Sequence, residues 1–301
     1  MNQDSKPKIL LPSWLIWVKE KTIVLVVVGA SILILTYIAP GPLSRALVQL
    51  GNAQISAGNN ILGGASYNLA RLFNGDLKES VDQCYAYNAQ QQYELAIDYC
   101  NKAIEIDPNY AQAYSYRGYA YLKIKNYDQA IADFSRDIEI IPIATRSFIN
   151  RGNVYMEQKK YDLAIAEYTK SIDINPKEPQ AWLNRGLSYF QQGHNDLAIA
   201  DCNRAIGLAE KYWNAYLCLG LAFTGQQNYE LAITNYDKAI ELAPNTMSSS
   251  IYCLRGDNYT KIGDFESAIT SFEQGVRLDV TSEYDWCKSA LEKARQAIPT
   301  P

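Results

Sequence analysis

Histidine is nearly absent from this chain: of 301 residues a single one, His194, carries an imidazole. The commonest general base and metal ligand is thereby removed from all but one position, which sets the sequence against acid–base catalysis. The six cysteines, Cys84, Cys100, Cys202, Cys218, Cys253 and Cys287, include no Cys-x-x-Cys pair, and no histidine is placed to complete a zinc site with them. Also missing are a Gly-x-Ser-x-Gly elbow, a phosphate loop, paired helix histidines and a glycine-rich nucleotide fingerprint. The expectation is a non-enzyme with no catalytic residue, cofactor or metal. Lys and Arg number 28 against 32 Asp and Glu, a net charge of −4, and they are dispersed. No basic stripe exists to neutralise a row of phosphates, so nucleic acid is not an expected partner.

What is present is apolar and aromatic: 48% hydrophobic residues and 23 tyrosines. Cysteines at apolar helical positions act as small hydrophobes, which makes core filling the plain reading of the six. Their even number leaves disulfides open should the domain face an oxidising compartment.

Residues Thr22 to Ala39 read TIVLVVVGASILILTYIA, eighteen residues without a charge. As a helix this run reaches roughly 27 Å, against a hydrocarbon core of about 30 Å. Trp14, Trp17, Lys19 and Lys21 precede it with interfacial chemistry, and Pro40 and Pro42 stop it. A cleaved signal peptide fits less well: the apolar core is long, the leader runs about twenty residues, and Tyr37-Ile38-Ala39-Pro40 is a poor cleavage site. The spacing therefore predicts an uncleaved transmembrane helix over 22–39, behind an interfacial segment 1–21. Lys6, Lys8, Lys19 and Lys21 lie before the run and only Arg45 closely after it. That asymmetry puts the amino terminus in the cytoplasm and leaves the repeats on the far side. Residues 40–76 form a low-charge linker in which Leu62, Ala65, Leu69, Leu72 and Phe73 recur at helical spacing. One short amphipathic helix is expected there, serving self-association through 43–73, contact with the membrane surface, or a cap on the domain beyond it.

Internal periodicity dominates the remainder. Gly118, Gly152, Gly186 and Gly220 stand 34 residues apart. Three residues after each comes an aromatic (Tyr121, Tyr155, Tyr189, Phe223) and twelve after it an alanine (Ala130, Ala164, Ala198, Ala232). Sixteen after it comes a residue that fills the space between helices: Phe134, Tyr168, Cys202, Tyr236. Pro142, Pro176 and Pro244 close three units, and Glu210 takes that place once. The frame extends back to Cys84, Tyr87, Ala96, Cys100, Ala103 and Pro108, and forward, after two inserted residues, to Gly256, Tyr259, Ala268, Phe272 and Gly275. Small residues let two antiparallel helices approach while the aromatics fill the gap to the next hairpin. Six units result, about 77–110, 111–144, 145–178, 179–212, 213–248 and 249–282, together 77–281, followed by a capping helix at 283–297. His194 falls in an inter-helix turn whose counterparts are Asn126, Lys160, Asn228 and Asp264, a solvated place. Asn258-Tyr259-Thr260 spells a glycosylation triplet, but Tyr259 is a packing position, which argues against its use.

The frame resembles the tetratricopeptide repeat (TPR) family, whose 34-residue signature runs Trp, Leu-Gly, Tyr, Ala, Phe, Ala, Pro. Trp182-Leu183-Asn184-Arg185-Gly186-Leu187-Ser188-Tyr189 and Ala232-Ile233-Thr234-Asn235-Tyr236-Asp237-Lys238-Ala239 carry the likeness. Cys84 in the glycine place, Asp137 in the second-helix alanine place and Val280 in the closing-proline place depart from it. The resemblance implies an all-α protein, a right-handed α-solenoid of about six hairpins whose first helices line a concave groove for a peptide or extended partner segment. Groove positions lie two before the aligned glycine, and one and four after it. They correspond to Tyr116 and Tyr119, to Asn150, Asn153 and Met156, to Asn184, Leu187 and Phe190, and to Leu221 and Asp257, with Arg146, Ile149, Leu183 and Leu217 widening the set. The asparagines either pair with a partner's backbone or satisfy the stack internally. The lysines of the family's carboxylate-clamping members are replaced by Ile149, Gln180, Leu183 and Leu217, so chaperone-tail binding is not expected.

The function implied is a single-pass, membrane-anchored protein-protein interaction scaffold or assembly factor. A structural subunit of an envelope machine, such as a pilus or secretion apparatus, is the second reading. The chain also looks like cyanobacterial membrane TPR assembly factors, which implies a thylakoid or plasma membrane.

Overall fold

The computed structural model describes residues 24–28, 31–35, 77–244, 248–279 and 285–297. The chain divides into two compact units, Met1–Ala120 and Tyr121–Pro301. The expected interfacial segment 1–21 and the linker helix within 43–73 lie outside the described residues.

In the first unit, strands β1 (Val24–Val28) and β2 (Ser31–Leu35) pair antiparallel, Val24 opposite Leu35 and Val28 opposite Ser31. This corrects the transmembrane helix expected over 22–39. Val24, Val26, Val27, Val28, Ile32 and Ile34 are β-branched, stiff at χ1 and better suited to a pleated strand than to a helix. No helix among the described residues is long and apolar enough to cross a membrane. Beyond the strand pair, every element among the described residues is helical. Helices α1 (77–89) and α2 (Tyr93–Ile106) are followed by α3 (Ala111–Lys123), whose last residues enter the second unit. Val81, Ala103 and Ala113 form the core here.

The second unit continues with α4 (Tyr127–Ile140), α5 (Thr145–Glu157), α6 (Tyr161–Ile174), α7 (Pro179–Gln191), α8 (Asn195–Leu208) and α9 (Trp213–Gly225). It ends with α10 (Tyr229–Leu242), α11 (Ser249–Lys261), α12 (Phe265–Leu278) and α13 (Asp285–Ala297). Each turn between a first and a second helix holds one left-handed residue: Gln91, Lys125, Lys159, Gly193, Gln227 and Gly263. Only two are glycines, so four turns adopt a conformation that costs a non-glycine residue roughly 1–2 kcal/mol. What holds them is a backbone bond from the following amide to the carbonyl of the aromatic five residues back, as in Lys160 N–H to Tyr155 O at 2.8 Å and His194 N–H to Tyr189 O at 2.9 Å. The second helices then open with an acid, Glu94, Asp128, Asp162, Asp196, Glu230 and Glu266, facing the positive end of the helix dipole.

Within a hairpin, the glycine of the first helix lies against the ring or sulfur sixteen residues later. A Cβ built on Gly152 would sit 2.6 Å from the Tyr168 ring, on Gly256 2.8 Å from the Phe272 ring, and on Gly186 2.8 Å from Cys202 Sγ. Gly220 meets Tyr236 in the same way. These rings are at most 1% exposed, so they have nowhere to go. The alanine places Ala130, Ala164, Ala198, Ala232 and Ala268 are fully buried.

An arginine ahead of the glycine adds a polar contact that periodicity of apolar residues does not announce. Arg185 grips Asp201 with two bonds, Nε to Oδ2 at 2.7 Å and Nη2 to Oδ1 at 2.9 Å, reaches Thr169 Oγ1 on the preceding hairpin at 3.1 Å, and lies over the Trp182 ring at 4.9 Å. Arg151 repeats this on Glu167, Ser135 and Phe148, and Arg255 on Ser271, Asp237 and Tyr252. Leu219 takes the arginine place once, and there the residue sixteen later is Asn235 rather than an acid.

All six cysteines are bonded: Cys84 to Cys100, Cys202 to Cys218 and Cys253 to Cys287. The bare core-filler reading is therefore superseded.

Asp137, in an alanine place, is buried and accepts a hydrogen bond from the Ser147 hydroxyl. Burial raises its carboxyl above 3.8, against a smaller lowering by Ser147.

Three stability outcomes are expected. Gly152→Ala should cost about 1–3 kcal/mol by overpacking despite alanine's better helix propensity, and Tyr168→Leu in the same chain should restore part of it, read from urea midpoints. Arg185→Ala should cost about 3–5 kcal/mol by stranding a buried Asp201, whereas Arg185→Met with Asp201→Leu should be near neutral. Because Asp137 holds its proton more tightly folded than unfolded, its contribution to stability should fall as pH rises from 3.8 through the raised pKa, against the opposite contribution of Asp264, whose pKa is lowered. Asp137→Ala should remove that slope in a series of urea titrations across the same pH range.

Candidate protein-binding face of the first helices

In the second unit α5 touches α7 and α7 touches α9, while contacts between successive second helices are marginal at most. The first helices thus lie on the inner side, and the residues that leave their shared face unsealed are the candidate site. Asn150, Asn153 and Met156 on α5, Asn184, Leu187 and Phe190 on α7, Leu217 and Leu221 on α9, and Asp257 on α11 are all half-buried there. Arg146 is exposed in the first turn of α5.

Two expected groove residues are placed elsewhere. Ile149 is 3% exposed and packs with Ala164, Tyr168, Ile172 and Ala181; Leu183 is 3% exposed and packs with Cys202, Ala205, Ala215 and Cys218. Each stands three residues before its glycine, on the helix side that faces the second helices. Both belong to the core, and Leu217, three residues before Gly220 in the same register, packs against the cluster of Ala232, Tyr236, Ala239 and Ile251.

Half of the polar candidates are committed internally. Asn153 Oδ1 accepts from the Tyr168 hydroxyl and from Asn184 Nδ2, both at 2.8 Å, which ties α5, α6 and α7 together. The Ser188 hydroxyl bonds Met156 Sδ at 2.9 Å. One hairpin further on, Thr224 meets the Tyr236 hydroxyl at 3.1 Å and donates to Asn258 Oδ1 at 2.9 Å. Burial raises both phenols, Tyr236 to about 12 and Tyr168 further, so neither is an acid in the working pH range. Asn258 itself is 1% exposed, which leaves a glycan no access to the triplet it heads.

Asn150 keeps its carboxamide outside this network. With it remain the apolar surfaces of Leu187, Phe190 and Leu221, flanked by Arg146 and Asp257. Such a face can bury apolar side chains and pair with peptide groups; it holds no acid–base couple. No group of three or more His, Cys, Asp or Glu among the described residues could hold a metal ion.

The first unit carries its own portion of first-helix surface. Tyr116 on α3 accepts from Gln112 Nε2 at 2.6 Å, its carbonyl takes a bond from Asn88, and its ring lies tilted 5.4 Å from that of Tyr85 on α1. Tyr119 is half-buried on the same helix. Tyr85, 58% exposed, is absent from the residues expected of the groove. The signal was available: Tyr85 follows Cys84 as Tyr119 follows Gly118, and a frame anchored on glycine passes over a unit that begins on cysteine.

Comparison with known proteins agrees with this architecture. A family model described as TPR repeat matches residues 152–193, and models described as tetratricopeptide repeat match 83–110, 99–132, 179–212 and 214–279, together more than half of the chain. No curated protein matches in sequence. Among solved structures, a tetratricopeptide repeat protein from Parabacteroides merdae is 16% identical with a TM-score of 0.58, over 85% of this chain and all of that one. The Pseudomonas aeruginosa protein pilF is 17% identical with a TM-score of 0.63, over 75% of this chain and 99% of that one. PilW, described as a widely conserved type IV pilus biogenesis factor, is 19% identical with a TM-score of 0.62, over 73% and 98%. At these identities the likeness is one of fold. The hairpins built on glycine and ring at 34-residue spacing, and the family models that fall on the same helices, show that the chain belongs to the tetratricopeptide repeat family.

Proposed function

We propose that this protein is a protein-interaction scaffold that holds an extended segment of a partner protein against its first helices and keeps it at a membrane. The carrying observation is the half-buried set Leu187, Phe190 and Leu221 beside the uncommitted amide of Asn150. Apolar anchors supply affinity and an amide pairs with a peptide backbone. Attachment is carried by the uncharged run 22–39, flanked on one side by Trp14, Trp17 and four lysines. The description of PilW as a pilus biogenesis factor is what favours the second reading, a subunit of an envelope machine. The two readings differ in stoichiometry: a subunit copurifies with its machine in fixed ratio, an assembly factor with immature forms.

A photo-crosslinking residue at Phe190 should capture a partner in the full chain, identified by mass spectrometry. Leu187→Glu with Leu221→Glu should weaken that capture tenfold or more, about 1.4 kcal/mol or above. Leu163→Glu, at an exposed position on second helix α6, should leave it unchanged. Equal loss from all three substitutions, or none from the first two, would refute the binding face. The full chain should stay with membranes through carbonate extraction and residues 40–301 should not; both in the supernatant would refute the attachment.

A further inference from the structure

We infer that the repeat region is exported and folds in an oxidising compartment, where three buried disulfides are part of its native structure. The sites are Cys84–Cys100 joining α1 to α2, Cys202–Cys218 joining α8 to α9, and Cys253–Cys287 joining α11 to α13.

The places these residues occupy carry the inference. In other units a glycine faces a ring sixteen residues on, as Gly152 faces Tyr168 and Gly256 faces Phe272. Cys84 and Cys100 hold those same two places. Exchanging a ring for a thiol opens a void, and the second sulfur, in place of glycine, fills it. Cys202 also stands in a ring place; its own glycine, Gly186, is retained, and the vacated volume is entered by Cys218 from the next hairpin. Were cysteine only a small apolar filler, single replacements would serve and nothing would bring a second thiol to each. Instead all six pair off, with Cα separations of 5.3, 6.2 and 5.6 Å, inside the range a disulfide spans. Every one of the six is 0% exposed, so the bonds are shielded from soluble reductants and suit a permanent staple rather than a switch.

A staple matters most where packing is one-sided. One bond lies in the hairpin that opens the repeats in sequence and another holds the helix beyond the last hairpin; terminal elements of a repeat array fray first. Each bond forms from two thiols by thiol–disulfide exchange, releasing two protons and passing two electrons to a disulfide oxidant of the compartment, which is reduced to its dithiol. Three bonds pass six electrons. A glutathione-reduced cytosol opposes that transfer, whereas a periplasm or other exported space drives it. The inference rests on the cysteine pairing and not on the membrane attachment proposed above.

The test uses the full chain in a bacterium with a periplasm, with and without its periplasmic thiol oxidase. Cells are acid-quenched, and the chain is denatured and treated with a polyethylene-glycol maleimide that adds one mass step per thiol. No step is expected with the oxidase present and six after reduction, and peptide mapping should recover the three pairs. Any free thiol in the oxidase-proficient strain, or any other pairing, overturns the inference. As a second arm, Cys84→Gly with Cys100→Tyr rebuilds the glycine–ring contact without a bond. Wild type reduced in denaturant and refolded under reductant should exchange amides in α1 and α2 several-fold faster than the oxidised protein, while the variant treated in the same way should be unchanged; no difference between the two wild-type forms overturns the first bond. Partner capture from Phe190 is scored separately, so a failed binding face leaves these outcomes readable.

Discussion

Between Gly152 and Tyr168 there is no room for a methyl group, and the same holds between Gly220 and Tyr236 and between Gly256 and Phe272. That close approach sets the separation of the two helices in each hairpin, and the remaining architecture is arranged around it. The buried alanines, four residues before the rings on the same face of the second helix, keep the backbones equally close. Each turn accepts a strained left-handed residue because the aromatic ahead of it is pinned and its carbonyl is available to the returning amide. A wider gap would leave the rings without partners, and dispersion across a void is lost outright.

Polar groups organise the same space in a second register. Arg151, Arg185 and Arg255 each bridge their own second helix and the preceding hairpin, and each rests on an aromatic three residues earlier. Buried ion pairs add little net stability but make mispairing costly, because a slipped hairpin would strand a charge. The Tyr168–Asn153–Asn184 and Tyr236–Thr224–Asn258 links impose a similar penalty on slippage. Once these demands are met, what remains on the first-helix face is mainly leucine, phenylalanine and one free amide. A surface of that kind selects by shape and apolar content more than by charge, in keeping with the absence of lysines from the clamp places.

Much of this was legible from residue spacing. The glycine, aromatic and alanine places at 34-residue intervals announced helical hairpins, and helices stand over them. The site was harder to read. Ile149 and Leu183 are as apolar as Leu187 and Leu221, and only the direction of their side chains separates core from surface. Asn153 and Asn184 read equally as peptide ligands or as internal ties until a 2.8 Å bond joins them. The Arg-Gly pairs were visible at 117–118, 151–152, 185–186 and 255–256, yet their meaning depends on acids, hydroxyls and an amide sixteen to eighteen residues away on other helices. In the 22–39 run, uniform hydrophobicity suggested one helix, while its β-branched composition went with the strands of β1 and β2.

The sequence by itself determined the local and periodic features: where helices start and turn, and which small and aromatic places recur. These arise from short-range sterics and from repetition, which a linear string displays directly. Tertiary structure decided how residues from different helices meet: which cysteines bond, which asparagines are spent, and which leucines stay open to a partner. Those outcomes depend on side-chain direction across a packed interface, and two residues of the same type at the same spacing can face opposite ways.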